Sequence, residues 1–99
     1  MSQWQDGERR LRDAEPSEQS HLDRVVDYVL EELRRRLGSK FEVGELVDLY
    51  YAGTDWAEDV AQRHFAGADT SAVVDAAFWR YARGAADFAG GRTRFGGER

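Results

Sequence analysis

The chain has no cysteine, one proline, one lysine beside thirteen arginines, and two histidines among its 99 residues. Without cysteine there is no disulfide, no zinc–thiolate site and no thiol nucleophile. A metal site would have to be built from histidine and carboxylates. His21 and His64 lie in different helical stretches, and the wheel turns Glu58 and Asp59 away from His64. No metal ligand set and no cofactor is therefore expected. No apolar run approaches the roughly 20 residues that span a bilayer, and the N-terminus has no signal-peptide core. No membrane partner is expected, and the cytoplasm is the expected location.

Other absences bear on catalysis. The glycines match neither a Walker loop nor a dinucleotide fingerprint, and no strand precedes them. The serines sit at caps, turns or tails, with no nucleophile motif around them. Asp48, Asp55, Glu58 and Asp59 fit helix caps and wet faces better than a paired acid–base site. The chain is not expected to be an enzyme, and no small-molecule ligand is implied. A net charge of −5 and a pI near 5.0 also argue against a general nucleic-acid binder.

What is present is a helical pattern. A hydrophobic fraction of 41% supplies a core for one small domain, and no stretch alternates as a strand would. The expected fold is all-α: four helices, long-short-short-long, over 17–90, between flexible tails at 1–16 and 91–99. Trp4 and Leu11 are the only large apolar residues after Met1 in the N-terminal tail. The first helix is expected over Ser17–Leu37, capped by Ser17 or Ser20. Its stripe is Leu22, Val25, Val26, Val29, Leu30, Leu33 and Leu37. Arg34, Arg35 and Arg36 suit its C-terminal dipole, and Gly38 its end. Glu31 with Arg35 and Glu32 with Arg36 are expected i,i+4 pairs.

The central stretch, Phe41 to Phe65, reads as two short helices around Gly53, Val43–Ala52 and Asp55–Ala66. Val43, Leu46, Val47 and Tyr50 face inward in one; Trp56, Ala57, Val60, Ala61, His64 and Phe65 in the other. Thr54 or Asp55 is expected to cap the second, and Asp55 with Glu58 has capping-box spacing. The last helix is expected over Ser71–Ala89, capped by Thr70 or Ser71. Its stripe is Val74, Ala77, Phe78, Tyr81, Ala85 and Phe88, and Asp75, Ala76, Trp79, Arg83 and Ala86 lie on its outer face.

The run Phe41-x-Val43-x-Glu45-Leu46-Val47-x-Leu49-Tyr50, then Trp56 and Val60, then Val74-x-Ala76-Ala77-Phe78-x-x-Tyr81-Ala82, resembles short uncharacterised proteins of actinobacteria. The resemblance covers residues 20 to 90. It implies a small helical domain from a GC-rich bacterial cytoplasm, in keeping with the arginine bias. It carries no activity and assigns no site residue.

Two large aromatics fall off the stripes, Tyr28 and Trp79. Such rings are enriched at protein interfaces. With Arg83 and Tyr51 they form the candidate protein interface. Glu58 and Asp59 join it from the acidic central segment, where six carboxylates face Lys40 and Arg63. An acidic surface beside aromatics suits a basic protein partner, and the same rings could meet their copies across a two-fold axis. The expected function is a non-enzymatic adaptor or regulator that binds another protein or itself. The alternative is a transcription-associated helix-turn-helix protein built on the central pair. Its second helix, however, presents Asp55, Glu58 and Asp59, which would repel phosphate.

Overall fold

The computed structural model describes residues 2–64 and 69–84. Five α-helices occur among them: α1 (Ser2–Arg12), α2 (Pro16–Leu37), α3 (Val43–Ala52), α4 (Asp55–His64) and α5 (Thr70–Ala82). The all-α expectation stands, but the layout has one helix more than the four anticipated. The extra one is α1, which occupies most of the stretch expected as a flexible tail. The Gly/Arg segment 91–99 and the positions Phe65, Ala85, Ala86 and Phe88 lie outside the described residues.

The centre of the molecule is α5. Ala72 through Phe78 are all buried in an unbroken run, as is Ala82. A helix apolar on one stripe needs one neighbour; a helix buried all round needs several. Accordingly α1, α2, α3 and α4 all pack on α5. This corrects the outer face expected for the last helix: Asp75 is 5% exposed and Ala76 fully buried. The covering element is α1. Trp79 is half-buried and packs against the core, so it too is not an outer-face residue.

Helix α2 follows its pattern. Leu22, Val25, Val26, Val29 and Leu33 are buried, while Leu30 and Leu37 flank them at the rim. It begins at Pro16 rather than behind a serine cap, since proline is pre-set for the first helical turn. Gly38 ends it at φ 78°, its N–H bonding the Arg34 carbonyl at 2.7 Å, a left-handed position that favours glycine. Glu32 pairs with Arg36 as expected, but Glu31 takes Arg34 instead of Arg35.

Three local devices fix the rest. Phe41 stacks on Tyr81 at 4.6 Å, and the Tyr81 hydroxyl donates to the Gly38 carbonyl, which ties the α2–α3 loop to α5. Burial pushes Tyr81 above its ordinary pKa. Arg36 lies over the Trp56 ring, 4.1 Å from its centre, joining α2 to α4. Asp69, not Thr70 or Ser71, caps α5 by accepting the Ala72 N–H at 3.1 Å. Of the two residues expected to cap α4, Thr54 is the one that precedes it, its carbonyl accepting the Ala57 and Glu58 N–H groups.

Candidate functional site: the Tyr28–His64 face

The sequence places Tyr28 opposite the buried stripe of α2, and the structure keeps it there, 42% exposed. It is not alone. The His64 ring lies flat against it, with centres 3.7 Å apart and planes 5° from parallel. His64 was expected in the inward arc of α4; it is exposed, at that helix's C-terminal end. Contact between α2 and α4 brings two rings 36 positions apart into one stack. A depression of about 420 Å³ opens beside them, lined also by Glu31, Glu32, Arg35, Val60 and Arg63.

Charge here alternates and is internally matched. Arg35 donates to Glu32 at 2.7 Å, and Arg63 pairs with Asp59 on α4. Asp59, with lesser help from Glu32, holds Arg63 above its ordinary pKa. The surface therefore offers a flat aromatic platform with acceptors and donors of both signs around it. Exposed pairs of this kind contribute little to stability, so they are free to be re-made with a partner.

The other candidate interface residues disperse. Tyr51 is 76% exposed on α3, edge-on to Tyr50, in an arc with Glu45 and Asp48. Glu58 is half-buried and accepts the Thr54 hydroxyl at 3.4 Å. Arg83 is exposed immediately after α5, whereas Trp79 is packed inward. So Tyr28, Asp59 and the newly found His64 belong to the α2–α4 side, Trp79 belongs to the core, and Tyr51 belongs to α3.

A second set of polar groups lies under α1 and was not foreseen. Arg80 donates from Nε to Glu8 Oε1 at 2.8 Å, and from Nη2 to Glu8 Oε2 at 3.2 Å and Asp23 Oδ1 at 2.9 Å. Glu8 also accepts from Arg12 at 3.1 Å. Burial opposes charge on Arg80, but Glu8 and Asp23 outweigh it and leave its pKa raised. Close by, the Tyr50 hydroxyl donates to Asp75 Oδ1 at 2.7 Å and accepts from Gln3. Burial pushes Asp75 up, against the opposing pull of the Tyr50 bond and Arg10. Burial, then the bonded Asp75, pushes Tyr50 up. These groups join helices; among the described residues no group of three His, Asp or Glu could hold a metal ion.

Several of the described arginines are paired with carboxylates. Arg34, Arg35 and Arg36 face Glu31 and Glu32, and Arg80 is held by Glu8 and Asp23. Among the described residues no helix is long and apolar enough to cross a membrane. No known protein family, curated protein or solved structure matches the chain.

Proposed function

We propose that the chain is a small non-enzymatic helical module that binds another protein through the α2–α4 face. The observation that carries this reading is the open Tyr28–His64 stack beside a depression of about 420 Å³. A tyrosine needed only as a lid on the core would lie over the core. Tyr28 lies instead on the exposed His64 ring at the rim, where its remaining open face is free to be covered in a complex. Aromatic anchors ringed by polar groups are the usual energetic centre of an interface. The alternating Glu31, Glu32, Arg35 and Arg63 suit a partner segment with its own charges of both signs around an apolar residue. A second copy of the chain meets that description as well as another protein does.

The test is a capture from the source cell's lysate with wild type, Tyr28→Ala and Tyr51→Ala, read by mass spectrometry. The captured protein is then purified and titrated against each form. The reading expects a partner held by wild type and by Tyr51→Ala, and weakened at least about tenfold by Tyr28→Ala, the scale of a single hot-spot side chain. A partner lost with Tyr51→Ala but kept by Tyr28→Ala would move the interface to α3 and overturn this assignment.

A further inference from the structure

Helix α1 is seated on the rest of the chain as a ligand helix sits in a groove. It precedes α2 in sequence but packs chiefly on α5, some 60 positions away. Its inward residues are Trp4, Gly7, Glu8 and Leu11, the i, i+3, i+4, i+7 spacing of helix-in-groove recognition. Each meets its own receptor. The Trp4 ring lies 5.4 Å from Phe78 and 5.5 Å from Tyr50. At Gly7 the two helix backbones nearly touch: a Cβ there would overlap that of Asp75 and come within 3.0 Å of the Ala72 carbonyl oxygen. Glu8 is gripped by Arg80 with two bonds. Leu11 is buried, and Arg10 reaches Asp69 at 3.4 Å. Contacts run from Phe78 at Trp4 down to Asp69 at Arg10, so α1 lies antiparallel to α5.

Three features bear on exchange of this helix. Its contacts are concentrated in Trp4, Gly7, Glu8 and Leu11, with Gln3 and Arg10 at the edges, while Gln5, Arg9 and Arg12 face water. A helix of this length, with a central glycine, is not stable by itself. Docking also covers Asp75, a carboxylate that makes no ion pair among the described residues and whose pKa burial raises, so closing the groove works against a charge. The link to the body is only Asp13–Glu15. Glu15 is extended at φ −57°, ψ 141°, as a residue before proline prefers to be.

We propose that the α5 groove is a recognition site for a helix bearing Trp-x-x-Gly-Glu-x-x-Leu, and that its second occupant is the α1 of another copy of this chain, exchanged reciprocally. The fold supplies the complementarity outright, because every contact made within one copy can be re-made between two. Only the hinge changes. Within one copy the short link gives α1 an effective concentration of about millimolar, so exchange belongs to high local concentration. This surface is separate from the Tyr28 face and does not depend on it.

The test uses full-length chains carrying one new cysteine each, possible because the sequence has none. Arg10→Cys chain and Asp69→Cys chain are mixed over a concentration series and treated with a short bis-maleimide. The doubly substituted chain is run beside them and is expected to cross-link within itself. Exchange predicts a covalent heterodimer whose yield rises with concentration. It also predicts loss of that heterodimer, at least about tenfold, when Gly7→Val is added to the Arg10→Cys chain, and no change when Tyr28→Ala is added to both. Deleting Ala14 should shift its formation about tenfold lower in concentration, because the shortened link strains the closed form. No heterodimer while the double chain cross-links would overturn the proposal. A heterodimer indifferent to Gly7→Val would do the same, since the copies would then be meeting elsewhere. A double chain that fails to cross-link would show that α1 is not seated in the groove at all.

Discussion

Replacing Gly7 by alanine should destabilise the protein, although alanine is the better helix former. The two effects can be weighed from the structure. Within α1, glycine to alanine favours the helix by about 1 kcal/mol. Against this, the new methyl group overlaps the Asp75 Cβ and lies 3.0 Å from the Ala72 carbonyl oxygen and 3.2 Å from the Ala76 nitrogen. None of these is the tip of a flexible side chain that can swing away. The helices must therefore separate along their whole contact, which loosens Trp4 and Leu11 as well. Overpacking of this sort costs about 1–3 kcal/mol, and fixed backbone obstacles put this case at the upper end. The net expected loss is about 1–2 kcal/mol, or about 5–15 °C in Tm for a domain of this size. Gly44 provides the control. It is exposed on α3 and a Cβ there meets nothing within 4 Å, so Gly44→Ala should gain up to about 1 kcal/mol. Thermal and urea unfolding followed by circular dichroism would measure both, and hydrogen exchange at residues 3–12 would locate the loosening. If Gly7→Ala raised Tm as Gly44→Ala does, the close α1–α5 crossing would be wrong.

Further outcomes follow from the same contacts. Folding raises the Asp75 carboxyl above its ordinary 3.8, so the native state keeps that proton to higher pH than the unfolded chain does. This group favours folding most below pH 3.8 and loses that contribution as pH climbs through its raised native value, with Tyr50, Arg10, Asp69 and Asp6 as the groups that act on it. Asp75→Asn, which can still accept from Tyr50, should therefore be more stable than wild type above that window and show a flatter pH profile by urea titration. Arg80→Met should cost about 1–3 kcal/mol by leaving buried Glu8 with Arg12 alone. Adding Glu8→Gln should restore part of that loss, read as a coupling energy in a double-mutant cycle. Tyr28→Ala should change stability by less than about 1 kcal/mol, because its ring is half in water; a larger loss in thermal unfolding would make Tyr28 a packing residue.

Where a helix has one wet and one dry side, the residues announce it. The α2 stripe from Leu22 to Leu33 is buried as its spacing requires, and the limits of α3 were readable from Glu42 and Gly53. Reading failed where burial is not written in apolar residues. Of the four inward positions of α1, only Trp4 and Leu11 are large and apolar. Gly7 is inward because the backbones touch, and Glu8 because Arg80 waits 72 positions later. A helical wheel of α5 likewise assigns Asp75 and Ala76 to water, since it has no means of registering a helix from the opposite end of the chain. Tyr28 was legible as an outsider to its stripe. Its partner His64 was not, because the stack is made by α4 lying across α2 rather than by spacing within either helix.

These two kinds of failure separate the molecule's surfaces by permanence. The Tyr28–His64 face lies between α2 and α4, which pack on each other and are joined by Arg36 over Trp56. It exists whenever the domain is folded, and its matched surface charges leave its own stability nearly indifferent to what binds there. The groove under α1 exists only when α1 leaves. The polar groups that are costly to bury, Glu8, Arg80 and Asp75, are gathered at that one interface rather than under α2 or α4. The groove is thus a conditional surface beside a permanent one, and chain concentration decides which α1 fills it. A binder of the α2–α4 face that also gathered copies of this chain would raise that concentration and favour exchange without touching α1.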